Sequence, residues 1–385
     1  MNNFEFISPT KIYFGKDKEK EIGNIIKSYN FKKIAFIYGG GSIKKIKLYD
    51  SIINSLNEND IEFIEIPGVE PNPKLSFVID AINKLKDKKI EMILAVGGGS
   101  VIDSAKLISH AMYYNNNPFD FNEAKATNNN VIPVGVILTI SAAGSELSDS
   151  CVISNDLINP YYKKGFNSPT NRPLFAILNP MLTYSVSKFQ TGCGIVDIMM
   201  HTLERYMNYN DDCMLSENIS LGLLKTVLHY GKIAINDPTN YEARAELMLA
   251  SSLSHNGLTG LGKKQLMRVH ALEHILSGCY DEVYHGEGLA ILWPAWCYYV
   301  LDNKKANMLL TRLAKELFDK DSAVEGIESL KQYFNDIGMK TSLSDLKLNK
   351  PLDINYMANE FKGKNIKDFK DLDYQAFIEI FNLAK

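Results

Sequence analysis

The sequence predicts two domains, an α/β domain with a mostly parallel sheet and, after it, an all-α domain. Through residue 182, short apolar runs rich in β-branched residues alternate with segments of helical periodicity. From residue 183 the strand signals stop and long helical periods follow. At 385 residues the chain is long enough for two domains with cores of their own. We therefore place the domains at 1–182 and 183–385.

In the first domain, predicted strands alternate with predicted helices. Helical periods are expected at 44–57, 75–86 and 101–113. The five expected strands are the apolar runs at 34–38, 61–66, 91–96, 131–138 and 174–178. Strands that alternate with helices are joined by crossover connections, and such connections produce a parallel sheet.

The second domain is expected to contain only helices, because its apolar residues recur at the spacing of a helix face. No repeat and no low-complexity segment interrupts the series. The expected helices are 187–207, 215–235, 240–256, 264–277, 287–301, 303–318, 322–337 and 371–384.

The charge balance and the cysteines argue against several classes of protein. The 42 basic and 45 acidic residues give a net charge of −3, which offers no basic surface for nucleic acid or an anionic membrane. No apolar run reaches the roughly 18–20 residues of a spanning helix, and the N-terminus lacks the apolar core of a signal peptide. The five cysteines lack the spacing of a disulfide framework or a thiolate metal site. We expect a cytoplasmic protein without nucleic-acid or membrane partners.

Two glycine-rich turns in the first domain predict phosphate binding. Each follows an apolar strand and precedes a helix, and the turns are Gly39–Gly40–Gly41–Ser42 and Gly97–Gly98–Gly99–Ser100. Glycine allows the backbone to approach an anion, and a helix N-terminus supplies unpaired N–H groups. Asp103 lies in the first turn of the second helix, where a carboxylate stabilises the helix. Neither turn matches a G-x-G-x-x-G or Walker motif, so each alone is a weak signal. Two together point to a dinucleotide-type ligand.

Four residues in the second domain predict a metal centre. Asp197 and His201 are four positions apart and project from one face of a helix, so one cation can bind both. His270 and His285, fifteen positions apart across a Gly-containing turn, can complete the set. Three nitrogens and one carboxylate oxygen suit Zn²⁺ or Fe²⁺ far better than Mg²⁺ or Ca²⁺. A single helical His is more often a surface or core residue, but these four lie in apolar helices, where ionisable groups need a partner.

In this order along the chain, these motifs closely resemble those of the iron-containing (group III) alcohol dehydrogenases, in particular their butanol dehydrogenase-like branch. The markers are YGGGSIKK, PNP at 71–73, AVGGGSVIDSAK, LTISAAGSE at 138–146, the D-x-x-x-H of VDIMMHTLERY, and H-x-x-x-H followed by HGEGLA. The resemblance implies the dehydroquinate synthase-like fold, with a Rossmann-like dinucleotide-binding domain, a metal-binding helical domain and a homodimer. It also implies one divalent metal, Fe²⁺ or Zn²⁺, held by Asp197, His201, His270 and His285.

The resemblance further implies hydride transfer between a nicotinamide dinucleotide and an aldehyde or alcohol. Besides the two glycine turns, the cofactor contacts that it implies are Asn72, Asp103, Thr139 and Lys164. Ala143 departs from the pattern, since Thr is common there. The interval between the last two ligand histidines is also one residue longer than in many relatives. Neither departure removes a metal ligand.

His274 is the candidate catalytic residue, one helical turn beyond His270. It can relay the hydroxyl proton of the substrate or orient a metal ligand, and the sequence leaves both roles open. An apolar pocket without a carboxylate clamp is expected to favour short to medium aliphatic aldehydes over charged oxo-acids. Its candidate lining residues are Leu258, Leu261, Trp293 and Tyr298.

We expect NADP(H) to be preferred over NAD(H). An acidic residue after the first strand would bind the adenosine ribose and repel a 2′-phosphate, but none occurs before Asp50. Lys44 and Lys45 follow the glycine turn instead, and ammonium groups suit a phosphate. Relatives with the same YGGGS turn resemble NADP(H) users. The alternative is that both lysines are solvated and the turn accepts either cofactor.

Two other function classes stay open at this point. A metal-dependent lyase resembling dehydroquinate synthase would need many cations around a phosphorylated substrate, and only Arg205, Lys264 and Arg268 lie near the ligand motifs. A non-catalytic dinucleotide or metal sensor would not need a cation with an open coordination position. The physiological substrate and the choice between Fe²⁺ and Zn²⁺ are not determined by the sequence.

Overall fold

The computed structural model describes residues 1–158 and 162–385, which form two compact units. One unit is Ile7–Val186, and the other is Ser187–Lys385 together with Met1–Phe6. The sequence places the boundary after residue 182, which lies inside the short 3₁₀ helix Pro180–Thr183. Residues 1–6 are assigned by sequence to the first domain but pack with the helical unit. The backbone N–H of Asn2 donates a hydrogen bond to the carbonyl oxygen of Gly262 there (2.8 Å).

The α/β unit contains a six-stranded sheet and a separate two-stranded hairpin. The strands of the sheet are β1 (Lys11–Phe14), β2 (Lys33–Gly39), β3 (Glu62–Val69), β4 (Met92–Gly97), β5 (Val134–Leu138) and β8 (Phe175–Leu178). The hairpin strands are β6 (Ser150–Asn155) and β7 (Tyr162–Asn167), which pair antiparallel. The helices are α1 (Ile22–Ser28), α2 (Ser42–Lys45), α3 (Leu48–Glu58), α4 (Leu75–Leu85) and α5 (Gly99–Ala111).

All pairs in the sheet are parallel, in the order β1-β8-β5-β4-β2-β3. Strands β4 and β5 are buried along their whole length, as expected for a parallel sheet covered on both faces. The chain passes from β2 to β3 on one side and then crosses to β4 on the other side of β2. Ligands of open α/β sheets bind beyond the carboxyl ends of the strands at such a switch point. The two glycine-rich turns follow β2 and β4, which pair with each other as far as Tyr38 and Val96.

The helical unit contains nine α-helices among the described residues. They are α6 (Lys188–Tyr206), α7 (Met214–Asn236), α8 (Tyr241–His255), α9 (Arg268–Cys279), α10 (His285–Val300), α11 (Lys304–Phe318), α12 (Ala323–Asp336), α13 (Ile354–Ala358) and α14 (Tyr374–Leu383). Helices α6 and α10 are buried along most of their length and form the centre of this unit. The predicted fold class, a parallel α/β domain followed by an all-α domain, is confirmed. None of the described helices is long and apolar enough to span a membrane.

One helix predicted in the first domain is wrong, because the structure has two helices there. The segment predicted at 44–57 forms two helices, α2 and α3, because Lys47 adopts a left-handed conformation with a φ of 58°. Strand β1 and the β6–β7 hairpin have no counterpart among the predicted strands. Their side chains are largely exposed or half-buried, so they lack the apolar run that identifies a buried strand.

Candidate active site

Helix α6 holds the first two predicted metal ligands on one buried face. The helix begins after Ser187, whose hydroxyl accepts a hydrogen bond from the N–H of Gln190 (3.2 Å). Asp197 and His201 are both buried, and Oδ1 of Asp197 lies 3.4 Å from Nδ1 of His201. The spacing of four residues thus brings the two side chains together, as the helix geometry requires.

Helices α9 and α10 bring the other two predicted ligands to the same carboxylate oxygen. Nε2 of His270 lies 3.5 Å from Oδ1 of Asp197, and Nε2 of His285 lies 3.7 Å from it. These separations exceed those of hydrogen bonds. Two ligand atoms each about 2.1 Å from one tetrahedral ion are themselves about 3.4 Å apart. Oδ1 of Asp197 therefore lies at about the distance from each of the three imidazoles that a shared cation would impose, and the ligand atoms of Asp197, His201 and His270 all lie within 4.8 Å of one another.

Three of these converging atoms have no other partner. Oδ1 of Asp197, Nδ1 of His201 and Nε2 of His270 are buried and make no hydrogen bond within residues 1–158 and 162–385. Each buried polar atom without a partner costs about 1–3 kcal/mol. A divalent cation would satisfy all three at once. The residues present therefore fit the metal that the sequence predicts.

Two glutamates contact the outer nitrogens of two ligand histidines. Nδ1 of His270 contacts the carboxylate of Glu204, and Nδ1 of His285 contacts that of Glu273. Carboxylates in this position fix the ring orientation and increase the basicity of a metal-bound imidazole. Neither glutamate is among the site residues predicted from the sequence. A signal was available, because Glu204 follows His201, and Glu273 follows His270, at the three-residue spacing of a shared helix face.

The electrostatics of the cluster favour a cation. Burial holds the pKa of His201 well below its usual value, and the neighbouring His255 and His270 lower it further. Burial alone would also lower the pKa of His270, but the carboxylates of Glu204 and Asp197 raise it to about 9. The carboxylates of Glu204 and Asp197 thus make the cluster attract positive charge, which a proton or a metal ion can supply.

The cluster is most accessible at His285. Its side chain is 26% exposed, whereas those of Asp197, His201 and His270 are 6–8% exposed. The ring of His274 lies beside this open side, with its centroid 5.4 Å from that of His285. A substrate oxygen that approaches the cluster from this side would meet His274, although its role stays a prediction.

Two residues expected to line the substrate pocket do not do so. Trp293 is buried in the core of the helical unit and packs against Trp296, with the ring centroids 5.2 Å apart. The hydroxyl of Tyr298 donates a hydrogen bond to Glu328 on helix α12 (2.6 Å). Leu258 and Leu261 are half-buried at the turn that follows α8. Helical periodicity places apolar side chains on a buried face but does not distinguish a core from a pocket lining.

The second glycine turn is closely packed beneath the segment that follows β5. A Cβ atom on Gly98 would lie 2.4 Å from Cγ2 of Ile140, so only glycine fits there without a shift. The N–H of Thr139 donates a hydrogen bond to the carbonyl oxygen of Gly97 (3.1 Å). Ser100 lies in the first turn of α5. The first turn has a different constraint, since Gly41 has a φ of 151°, which disfavours any side chain.

The carboxylate of Asp103 forms hydrogen bonds with the segment that follows β5. Its Oδ1 accepts a hydrogen bond from the hydroxyl of Ser145 (2.6 Å), and its Oδ2 accepts one from the N–H of Val152 (3.0 Å). The buried ammonium of Lys106 donates to the carbonyl oxygens of Ser145 (2.8 Å), in the same segment, and of Ser150 (2.7 Å), at the start of β6. Asp103 and Lys106 together hold this segment in position next to the glycine turn.

Asn72 is contacted by Lys163, the residue before Lys164, which the resemblance implies as a cofactor contact. Nζ of Lys163 donates a hydrogen bond to Oδ1 of Asn72 (3.2 Å). Lys164 is the next residue in β7, so its side chain projects from the opposite face of the hairpin. Its carbonyl oxygen accepts a hydrogen bond from Asn122 (2.7 Å). The contact with Asn72 makes Lys163 a further candidate for cofactor binding.

The lysines after the first glycine turn are exposed. The ammonium of Lys44 lies 4.8 Å from the ring centroid of Tyr49 and 5.8 Å from that of Tyr38. Both tyrosine hydroxyls donate hydrogen bonds to the carboxylate of Glu65. Lys45 is exposed as well. A positive charge is thus present beside this turn, over two tyrosines whose hydroxyls are bonded to Glu65.

Two family models match most of the chain. The model described as iron-containing alcohol dehydrogenase matches residues 9–180. The model described as the C-terminal part of the Fe-containing alcohol dehydrogenase family matches residues 191–379. The first covers the α/β unit, and the second covers the helices with the candidate metal ligands.

Relatives with a named activity match the chain over most or all of its length. The NADH-dependent butanol dehydrogenase A of Clostridium acetobutylicum is 37% identical over 99% of both chains. The NADPH-dependent aldehyde reductase YqhD of Escherichia coli is 32% identical over 90% of this chain and 89% of its own. The crystal structure of the NADH-dependent butanol dehydrogenase A of Thermotoga maritima superimposes with a TM-score of 0.94 at 35% identity, covering 100% of this chain and 99% of that one.

Proposed function

This chain belongs to the iron-containing alcohol dehydrogenase family, in its butanol dehydrogenase-like branch, and we propose that it interconverts short to medium aliphatic aldehydes and their alcohols with NADP(H). The predicted family and enzyme class, a nicotinamide-dependent alcohol dehydrogenase with a divalent metal, are confirmed by the family models and the relatives. The observation that carries the proposal is the convergence of three imidazoles on Oδ1 of Asp197.

We propose that the helical unit holds one Fe²⁺ or Zn²⁺ through Asp197, His201, His270 and His285. When bound, the metal polarises the substrate oxygen, and the nicotinamide of the cofactor supplies or accepts the hydride. Glu204 and Glu273 would hold the rings of His270 and His285 in place. Asp197 contributes the negative charge that binds the cation.

His274 is proposed as the residue that handles the proton of the substrate. Reduction of an aldehyde adds a hydride to the carbonyl carbon and a proton to its oxygen. The ring of His274 lies beside His285, at the accessible side of the cluster, and so could hydrogen-bond that oxygen and deliver the proton. In the reverse direction the same nitrogen would accept the hydroxyl proton of the alcohol.

The α/β unit is proposed to bind the dinucleotide beyond the ends of β2 and β4. The switch point of the sheet, the two glycine turns and the ammonium of Lys163 beside Asn72 support this position. NADP(H) is favoured because the first turn has two exposed lysines after it and no acidic residue within it. One relative is named as NADH-dependent and another as NADPH-dependent. The proposed preference for NADP(H) therefore rests on the residues of this chain.

We propose a homodimer in which the edge of the sheet is buried. Strand β1 lies at one end of the strand order and has its second edge unpaired among the described residues. Ile12 and Phe14 on this strand, and Ile7 before it, are exposed. An exposed apolar edge strand is a site for association. The cytoplasm is the proposed location, in keeping with five cysteines that are all free thiols.

The lyase alternative has no support from the cations near the ligand motifs. The buried guanidinium of Arg205 donates hydrogen bonds to carbonyl oxygens and to His255. Arg268 donates to the carbonyl oxygen of Lys367 and lies 4.0 Å from Asp368. Of the three cations considered, these two are engaged within the protein rather than arranged around a phosphorylated substrate.

Turnover of butanal with NADPH, measured before and after removal of the metal by a chelator, tests the proposal. Activity should require the metal and return when Fe²⁺ or Zn²⁺ is added. His285→Ala should lose the cation and the activity together, while His229→Ala, at an exposed position on α7, should keep both. Stoichiometric metal with normal turnover in His285→Ala would contradict the ligand set. A higher kcat/KM for a 2-oxo acid than for butanal would contradict the substrate class.

A further inference from the structure

His201 lies between two other imidazole rings. The ring centroid of His255 is 3.9 Å from that of His201, with an angle of 37° between the planes. On the other side, the ring of His270 is 4.5 Å away at an angle of 30°. His270 is a proposed metal ligand, but His255 is not, and neither the sequence motifs nor the ligand set assigns it a role. It ends helix α8, whereas His201 is on α6.

A buried arginine holds His255 in this stack. Nη2 of Arg205 lies 2.8 Å from Nδ1 of His255, and Nη1 donates hydrogen bonds to the carbonyl oxygens of His201 (2.7 Å) and Ser254 (3.0 Å). A guanidinium can only donate hydrogen bonds. Nδ1 of His255 must therefore be the acceptor, which fixes its tautomer and the plane of its ring. Arg205 thus connects the backbone of His201 to the ring that packs on it.

The three histidines of the proposed metal centre are not supported in the same way. Glu204 contacts the outer nitrogen of His270, and Glu273 contacts that of His285. His201 has no carboxylate partner among the described residues other than Asp197, which is itself a proposed ligand. Metal-bound histidines usually have an outer partner that fixes their orientation. For His201, the stacked ring of His255 is the contact that can fix its orientation instead.

We propose that His255, fixed by Arg205, is a positioning residue that sets the ring plane of His201 in the metal centre. The inference rests on the proposed metal site. The ring of His255 limits rotation of His201 about its side-chain bonds, so that its nitrogen faces Oδ1 of Asp197 before a cation binds. Removal of the ring should therefore weaken metal binding and change the geometry around the metal, without removing any ligand.

Three variants separate the ring from the hydrogen bond to Arg205. His255→Gln keeps an acceptor for the guanidinium but has no ring, His255→Phe keeps a ring without the acceptor, and His255→Leu has neither. His229→Leu, on the exposed face of α7, is the matched control. Each protein is loaded with Co²⁺, whose visible absorption reports ligand geometry. The rate of Co²⁺ release to excess chelator is then measured, with circular dichroism of the metal-free protein as the test of folding.

We expect His255→Gln and His255→Leu to release Co²⁺ about 10–100 times faster than the parent, in line with the loss of a partner that orients a ligand. Their visible absorption bands should also shift or lose intensity. The release rate of His255→Phe should stay within about threefold of that of the parent, because this variant keeps the stacked ring. His229→Leu should match the parent.

The outcomes distinguish this inference from the proposed metal site. A parent that binds no Co²⁺ per chain would overturn both. A parent that binds one Co²⁺, together with a folded His255→Gln of unchanged spectrum and release rate, would overturn the positioning role alone. Fast release from His255→Phe but not from His255→Gln would also overturn it, because the hydrogen bond to Arg205 rather than the stacked ring would then be responsible.

Discussion

The carboxylate of Glu204 contacts Nδ1 of His270 and also accepts hydrogen bonds from the backbone N–H groups of His270 (3.3 Å) and Val269 (2.6 Å). These N–H groups lie in the first turn of α9, which has no side-chain cap from the residue before it. A helix leaves its first N–H groups without intrahelical partners. Glu204, on α6, therefore caps α9 and orients the imidazole that α9 supplies to the proposed metal centre.

Glu204→Gln should weaken metal binding about 10–100-fold, because a neutral amide neither holds the His270 ring nor increases its basicity as a carboxylate does. The dissociation constant for Zn²⁺, measured by competition with a chromophoric chelator, tests this expectation. Glu316→Gln is the matched control, since Glu316 forms an exposed ion pair with Lys225 (2.7 Å). An affinity within twofold of the parent for Glu204→Gln would show that the contact with His270 has no role in metal binding.

Lys163→Met and Lys164→Met should differ in their effect on cofactor binding. The ammonium of Lys163 lies beside Asn72 in the proposed dinucleotide site, whereas that of Lys164 projects from the opposite face of β7. Removal of a charge-assisted contact to phosphate costs about 1.5–3 kcal/mol, so Lys163→Met should raise the Kd for NADPH at least tenfold. Lys164→Met should change it less than threefold. Fluorescence titration with NADPH measures both, and the reverse order would favour Lys164, the contact that the resemblance implies.

Gly39→Asp should reduce the preference for NADPH over NADH. A carboxylate in the first turn would repel a 2′-phosphate and could accept hydrogen bonds from the ribose. A Cβ atom at this position would lie 3.3 Å from the carbonyl oxygen of Val69, so the substitution also has a steric cost. Gly39→Ala adds the same atom without the charge and serves as the control. The ratio of kcat/KM for the two cofactors should fall in Gly39→Asp and not in Gly39→Ala; a parent that favours NADH would contradict the premise.

The parts of the fold that the sequence predicts well are those with the strongest local signal. Strands β2 and β4 are buried on both faces, so each appears as an unbroken apolar run with a glycine turn after it. Strand β1 is half exposed and only four residues long, and it depends on pairing with β8 for its structure. Helices α2 and α3 are separated by the left-handed Lys47, which the helical pattern does not reveal.

The proximity of Asp197 and His201, two of the proposed metal ligands, was predictable because helix geometry places residues four apart on one face. The residues that support the metal cluster depend on contacts between helices instead. Glu273 is on the same helix as His270 but contacts His285 on α10. Nothing in the local sequence specifies which of two neighbouring histidines a carboxylate will meet. The same limit applies to Lys163 and Lys164, where only the pairing of β6 with β7 fixes the face of each side chain.

Because His110 is buried, we expect the folded protein to lose stability at acid pH. Its ring is buried in the α/β unit between Phe121 and Phe166, with centroid distances of 5.3 and 5.2 Å. Burial lowers the pKa of His110 from 6.5 to about 4. Between these values the unfolded chain binds a proton that the folded protein does not, so stability falls as the pH is lowered through this range. From pH 7 to pH 5 the loss is about 2 kcal/mol for this one group.

His110→Leu should remove this part of the pH dependence. The free energy of unfolding in urea, measured for the metal-free protein at pH 7, 6 and 5, should fall by about 2 kcal/mol less in the variant than in the parent over that interval. Other titrating groups are shared by the two proteins, so the difference isolates His110. His229→Leu, at an exposed position, should follow the parent. If His110→Leu and the parent lose stability in parallel as the pH falls, then the folded protein accommodates a charged His110, and burial does not depress its pKa.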